Sequence, residues 1–312
     1  MEESAGVVAT YRSAHAWGPI VVNRPASAGR RLLKIVAFNA RGGRFVDKIA
    51  ARLRRPPLNY PDLIMLSEMD WRRTRSNRRE TAAELAAELE MSFAYVGEFG
   101  IPSHHGIPVS FVGNALLSNR PLADVRALPM ARTTTQRRLR RFSGAPAGLV
   151  ARIMVNRRLI TVGVVHLNSR GNPNSRELQM REYLDGLPTD GAAILGGDFN
   201  TTTVDLGPPA SLIYAMALAL IRPHRFRNPQ RWEPLFQCLR DAGFDTAGAN
   251  VIGTATFTLS RLIPATFRPR LDWLALRGLT PVPNSAAVVA AQTSRFSTRF
   301  SDHDFITCTV QA

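Results

Sequence analysis

Cysteine and lysine are nearly missing from this chain of 312 residues, and so is any long apolar run. The two cysteines, Cys238 and Cys308, stand far apart and match neither a metal-binding spacing nor a disulfide framework, which fits a reducing compartment. No stretch approaches the roughly 20 apolar residues of a membrane span. The first thirty residues lack the charged start and apolar core of a secretory signal. A cytoplasmic location is the resulting expectation. Internal repeats and low-complexity tracts are absent as well.

Positive charge is present in excess. The formal net charge is +16, and of the forty basic residues only Lys34 and Lys48 are lysine. A balance this basic points to a polyanionic partner, either nucleic acid or an anionic membrane surface. The preference for arginine fits bidentate phosphate binding and fits equally an arginine-favouring genome. Arginines cluster at "WRRTRSNRR" (71–79) and "RTTTQRRLRR" (132–141), where basic loops could grip backbone phosphates without reading sequence; the bland reading is a solvated face.

With 45% hydrophobic residues the chain can bury a real core. Short apolar runs that read as strands recur at 32–39, 62–68, 114–118, 148–155, 159–167, 192–200, 271–276 and 304–310. Helical patterns lie between them: "RETAAELAAELE" (79–90), with Ala82, Leu85, Ala86 and Leu89 on one face, and "SRELQMREYLDGL" (175–187), opened by a Ser N-cap. Strands and helices alternate, but two strand pairs are adjacent, which predicts a layered α/β architecture with mixed sheets. Residues 31–312 read as one domain, preceded by a lead segment, 1–30.

Several runs end in a polar residue: Asn39, Glu68, His166, Asp198 and Asn200, with Asp272 and the pair Asp302 and His303 in "SDHD". In "GGDFN" the strand period of two sends Asp198 and Asn200 to one side and Phe199 to the other. Carboxylates with an amide suit a hard divalent cation such as Mg²⁺, and the histidines suit proton transfer and binding of developing negative charge. Taken singly, each is as readily a solvated strand end, a structural histidine or a turn cap. Their order and contexts decide.

The series "FNARGG" (38–43), "LSEMD" (66–70), "GNALLSNRPL" (113–122), "VVHLNS" (164–169), "GGDFNT" (196–201), "RLDWLAL" (270–276) and "SDHDF" (301–305) resembles the endonuclease/exonuclease/phosphatase superfamily with its deoxyribonuclease-I-like fold. The resemblance spans about 32–310. It implies an α/β four-layer sandwich, two packed mixed β-sheets flanked by helices, and phosphoester hydrolysis that needs Mg²⁺ or Mn²⁺. It also implies that Glu68 binds metal with help from Asn39, that Asp302 lies close enough to aid, and that Asp198 orients or deprotonates the water. Asn200 would hold that water or a phosphoryl oxygen, Asp272 would orient His303, and His303 with His166 would bind the phosphate. Asn114 would line the substrate side, whereas Arg176 and Gln179 read as structural hydrogen-bonding residues. The chain departs from the pattern at Arg41, where some members carry an acid or amide near the metal. His166 resembles the deoxyribonuclease I, sphingomyelinase and inositol-phosphatase branches; apurinic-site endonucleases usually have Asn there.

The leading expectation is a metal-dependent phosphodiesterase acting on nucleic acid. The alternative is the same chemistry on a phospholipid or small phosphoester, and its support is the segment 204–232. There an apolar run from Ala210 to Ile221 is followed by Arg222, His224, Arg225, Arg227 and Arg231. A helix without a polar face must be buried in protein or inserted into lipid. The arginines, Arg222 and Arg225 first, are candidate contacts to nucleic acid or an anionic membrane. A scaffold without catalysis is opposed by the retention of all six residues from Glu68 to His303 named for chemistry.

Overall fold

The apolar runs at 32–39 and 62–68 are separated by enough chain for a crossover helix, as are 159–167 and 192–200, and parallel pairing requires such a connection. The structure, a computed structural model, describes residues 17–26, 32–102, 108–132, 143–260, 262–292 and 297–312. In chain order the strands are β1 (Trp17–Val22), β2 (Leu32–Gly42), β3 (Leu63–Trp71), β4 (Ser92–Pro102), β5 (Pro108–Ser118), β6 (Ala123–Pro129) and β7 (Ser143–Gly144). They continue with β8 (Ala147–Val155), β9 (Arg158–His166), β10 (Ala192–Asp198), β11 (Asp272–Arg277), β12 (Thr280–Pro281), β13 (Ala287–Val289) and β14 (Phe305–Gln311). The helices are α1 (Val46–Leu53), α2 (Thr81–Glu88), α3 (Pro173–Asp185), α4 (Pro209–Ile221), α5 (Pro223–Arg227) and α6 (Leu235–Asp241).

One sheet runs β1-β4-β5-β3-β2-β14-β12, with β13 on β14 and β7 on β4; the other runs β11-β10-β9-β8-β6. Each has one parallel pair, β2 with β3 and β9 with β10, bridged by α1 and α3 respectively, and every other pairing along these paths is antiparallel. The expected mixed sheets follow from this. Strand β1 lies within the stretch set apart as a lead segment, yet it pairs with β4 from Trp17 to Val22.

The strand period of two sorts the side chains into three apolar layers. From β2, Leu33, Ile35 and Ala37 meet Ile160, Val162, Val164 and Ile194 between the sheets, while Val36 and Phe38 turn outward to Ile49, Leu53, Leu85 and Ala86 of α1 and α2. On the far side Val165, Ala193 and Leu195 pack on Met180 and Tyr183 of α3 and on Phe236 and Leu239 of α6. Helix, sheet, sheet and helix make the four layers.

Helix α3 corrects one detail. Its cap is Asn172, not Ser175: the Asn172 side chain accepts the Ser175 N–H at 2.8 Å. Pro173, with its fixed φ and no N–H to leave unpaired, then begins the helix. Its buried face carries Arg176 and Gln179, whose structural reading the contacts bear out. Arg176 donates to both Glu233 oxygens, at 3.1 and 2.6 Å, and to the Gly171 carbonyl at 2.6 Å. Gln179 accepts the Asn168 N–H and donates to the Ala131 carbonyl.

Gly197, next to Asp198, has φ +135°, and a Cβ there would lie 2.1 Å from the Val165 carbonyl oxygen of β9. No L side chain fits without parting the parallel pair. Gly197→Ala is expected to cost roughly 2–3 kcal/mol of stability, read as a lower urea midpoint; an unchanged midpoint would show that β9 and β10 yield at this point.

Candidate active site

A parallel pair brings two C-terminal strand ends to the same edge, and this fold does so twice. Asn39 and Glu68 lie near the ends of β2 and β3, where the pairing is interrupted, and His166 and Asp198 close β9 and β10. Asp198 is in register with His166 on one side and with Asp272, at the start of β11, on the other, so the three stand in one row on a shared face. Glu68 has φ +54° and sits where the β3 ladders skip, between Leu66 and Met69 against β5 and between Asn39 and Gly42 against β2. Such a bulge re-aims a side chain that regular pleating would send elsewhere.

Two carboxylate–imidazole pairs converge on one carboxylate oxygen. His303 Nδ1 lies 2.9 Å from Asp272 Oδ2, which leaves Nε2 3.6 Å from Asp198 Oδ2. His166 Nδ1 lies 3.5 Å from Glu98 Oε2, and its Nε2 is 3.8 Å from the same Asp198 oxygen and 3.9 Å from Glu68 Oε1. Asn39 Nδ2 donates to Asp198 Oδ2 at 2.9 Å and to Glu68 Oε1 at 3.1 Å. The Asn200 N–H fixes the other Asp198 oxygen at 3.0 Å.

These contacts shift the titrations. Burial alone would lower His303, but Asp272, Asp198 and Asp302 outweigh it and raise it to about 10. Burial likewise opposes the charge on His166, and Glu98, Asp198 and Glu68 bring it up to about 9. Asp198 is raised, first by burial and then by Asp272, against the opposing pull of His303, His166 and Asn39. Burial also pushes Glu68 up, yet His166, the Asn39 hydrogen bond, His303 and Arg75 together hold it below the usual carboxylate range.

The cleft above this row is about 350 Å³. Glu68, His166, Asp198, Asn200, Asp302 and His303 line one half, and Val204, Leu206, Met216, Phe226, Phe257 and Leu271 line the other. Asn39 and Asp272 do not line the cleft and support those that do, through their bonds to Glu68, Asp198 and His303. Asp302 carries a loose ion pair to Arg41 at 3.5 Å. Asn114 is not at the cleft: fully buried, it donates from Nδ2 to the Ala147 carbonyl at 2.9 Å and ties the two sheets together. Arg225 is likewise committed elsewhere, to Thr203 Oγ1 and the Thr203 carbonyl at 3.0 and 2.8 Å. Arg222 is exposed at the end of α4.

Sequence reasoning missed Glu98. It lies in "VGEFG" at a register shift of β4 against β5. The available signal is a lone acid between glycines in an apolar strand; beside it Gly97 pairs with Gly113, where a Cβ would meet the Val96 carbonyl at 1.9 Å, so the two backbones approach too closely there for any side chain.

The donor set suits a cation. Asp198, Asp272 and His303 bring ligand atoms within 4.8 Å of one another, but Asp272 and His303 already satisfy each other. Glu68, Asp198, Asp272 and Glu98 are four carboxylates facing two imidazoles, and Asp272 Oδ1 is buried without a hydrogen-bond partner. Surplus negative charge on oxygen donors, with no thiolate among them, fits a hard divalent ion.

The model of the Endonuclease/Exonuclease/phosphatase family matches residues 36–303. The chain belongs to this family, whose members are phosphoester hydrolases. It is similar to the structure of an endonuclease/exonuclease/phosphatase from Beutenbergia cavernae DSM 12333, at 17% identity over 90% of this chain and 72% of that one, TM-score 0.58. It is similar also to D. rerio TDP2 complexed with single strand DNA product, at 16% identity over 90% of this chain and 99% of that one, TM-score 0.56. A third similar structure is an AP endonuclease from Archaeoglobus fulgidus, at 15% identity over 88% of this chain and 98% of that one, TM-score 0.54. Such identities establish a shared fold. No curated protein sequence matches the chain.

Because His166 titrates above the ordinary 6.5, the stability its charged form contributes is complete below about 6.5 and lost as pH rises through about 9. Histidine NMR titration of the chelator-treated protein is expected to place its midpoint near 9, and Glu98→Gln to move it down toward the ordinary range. A midpoint that ignores Glu98→Gln removes Glu98 as the partner.

Proposed function

We propose that the chain is a divalent-cation-dependent phosphodiesterase that cleaves its substrate by attack of water. The observation carrying this reading is the meeting of two carboxylate-held imidazoles at Asp198 Oδ2 beside Glu68. Mg²⁺ or Mn²⁺, held by Glu68 with Asn39 and Asp302, would supply charge neutralisation at the phosphoryl oxygens.

Asp198 is the water-orienting base. Its Oδ1 is fixed by the Asn200 N–H, and its raised affinity for a proton, a consequence of burial and of Asp272, strengthens it in that role. His303 and His166, kept protonated by Asp272 and Glu98, present Nε2–H donors where charge gathers on the phosphoryl oxygens, and preplaced donors of this kind lower barriers by a few kcal/mol. One Asn200 amide hydrogen goes to the Leu167 carbonyl at 2.8 Å; the rest of the amide can hold the water or a phosphoryl oxygen.

Nucleic acid is the first substrate reading, supported by the +16 charge and by the fold shared with a protein crystallised with a single-strand DNA product. Part of its sequence support has another use. In the 71–79 cluster Arg72 pairs with Glu80, Arg75 with Asp70, and Arg79 with Glu84; the 132–141 cluster lies, but for Arg132, outside the described residues. The apolar half of the cleft favours the second reading, a phosphoester bearing an apolar group.

Asp198→Ala and His303→Ala are each expected to lower kcat roughly 10²-fold or more while preserving the fold. Glu68→Ala should instead raise the Mg²⁺ concentration needed for half activity. A panel of plasmid DNA, RNA, phospholipid and a chromogenic phosphodiester, assayed with Mg²⁺ and with chelator, tests the reading; full activity after exhaustive chelation would falsify it.

A further inference from the structure

Helix α4 has no polar face to turn outward. Of its side chains, Ala215, Leu218 and Ala219 pack against Val204, Leu206 and Phe226, while Ile213, Tyr214, Met216, Leu220 and Ile221 are 58–76% exposed. A second pair of exposed apolar residues lies in the loop that follows Phe257, where Leu259 is 73% and Leu262 is 93% exposed. Met216 and Phe257 both line the catalytic cleft, so α4 and this loop flank its mouth. Isolated exposed apolar residues are ordinary, but a cluster of this size on a monomer marks a contact surface.

The charge around the patch identifies its occupant. No Asp or Glu occurs from 206 to 232 or from 246 to 271, whereas Arg222, His224 and Arg231 are exposed just beyond α4. Thirteen residues at 1.5 Å each make a helix of about 20 Å, too short to cross a bilayer and long enough to lie along its surface. An apolar helix ending in arginines matches an anionic lipid interface, with side chains in the acyl boundary and guanidinium groups at the phosphates. A second copy of the chain would bring arginine against arginine. Single-stranded nucleic acid would call for aromatic platforms, and Tyr214 is the single aromatic on the exposed part of α4.

We infer that α4, with Leu259 and Leu262, docks the mouth of the cleft on an anionic membrane surface. This rests on the phosphodiesterase reading for what the docked cleft does there, and on the exposed patch alone for the docking. Seated this way, the cleft opens onto phosphoester headgroups, and its apolar wall continues the acyl boundary.

The test is sedimentation of the full chain with vesicles of phosphatidylcholine containing phosphatidylserine, and of phosphatidylcholine alone, in chelator so that turnover plays no part. Wild type is expected to bind the anionic vesicles, more weakly as salt rises, and to prefer them to the neutral ones. Ile213→Asn with Ile221→Asn should weaken that binding roughly tenfold or more, with an unchanged thermal midpoint and unchanged Mg²⁺-dependent cleavage of a soluble chromogenic phosphodiester. The inference is overturned by no binding to anionic vesicles, by equal binding of wild type and variant, by a wild-type dimer that the variant abolishes, or by single-stranded DNA binding that the variant loses. Failure to bind with soluble activity intact defeats the docking and spares the chemistry; vesicle binding without metal-dependent activity does the reverse.

Discussion

The amide nitrogen of Asn39 joins what the chain otherwise keeps apart. Its two donors go to Glu68, in the same sheet, and to Asp198, in the other. The two imidazole pairs cross the same seam: His303, ahead of β14, reaches Asp272 on β11, and Glu98 on β4 reaches His166 on β9. Every close approach to Asp198 from the first sheet is therefore set by how the sheets pack. That explains why the central layer is filled by Ile35, Val162, Val164, Ile194 and their neighbours without polar interruption: a close-packed interior resists the small slips that would pull these groups apart. Asn114 adds a further tie by bonding across the seam to Ala147, whose N–H in turn donates to Glu98.

Burying four carboxylates and two imidazoles at one seam costs stability that the apolar layers must offset. The arrangement limits that cost by pairing each imidazole with an acid that faces away from the cleft, so the charge that turns toward the cleft belongs to Glu68, Asp198 and Asp302. Asp198 shows the residual strain most directly. Its affinity for a proton is raised although two imidazoliums and Asn39 pull it down. This raised proton affinity, next to an unpartnered Asp272 oxygen, is what the proposed water-orienting role of Asp198 draws on.

Much of this was legible in the sequence because strand ends announce themselves: an apolar run closed by Asn, Glu, His or Asp gives both the strand and the place where its last side chain leaves the core. Asn39, Glu68, His166 and Asp198 were found that way, and Asp272 as the polar residue that opens the run of β11. Glu98 was not, because it interrupts β4 before the strand ends, and a sequence does not show that a bulge opposite Gly113 turns it toward a histidine on another sheet. The arginines at 71–79 were open to two readings, a phosphate-binding surface and a solvated face; folding sets Glu80, Asp70 and Glu84 beside Arg72, Arg75 and Arg79, local pairs that a run of letters does not show. For α4 the lack of a polar face was plain, while its exposure depended on how little of the sandwich lies beside it.

The polar and apolar halves of the cleft come from different parts of the chain. The polar half of the cleft comes from strand ends that the two sheets hold rigidly. Most of the apolar half comes from 204–226, the excursion that begins right after the Asp198 strand. Its first turn is anchored at Thr203, whose N–H donates to Glu233 at 2.7 Å and whose carbonyl and hydroxyl accept from Arg225. Glu233 is itself held by the fully buried Arg176 of α3. The wall is thus fastened, through Thr203 and Glu233, to the helix that makes the β9–β10 crossover, and removing one partner of the buried Arg176–Glu233 pair that holds this anchor typically costs about 3–5 kcal/mol. Beyond that anchor α4 contributes almost nothing to the core, so its sequence is constrained by what it meets outside the sandwich and by the shape it gives the cleft mouth. On the proposed function, a row held by sheet packing and a wall whose helix α4 lies mostly outside the core allow the substrate to be chosen by changing α4 and its neighbouring loop while the row at Asp198 stays as it is.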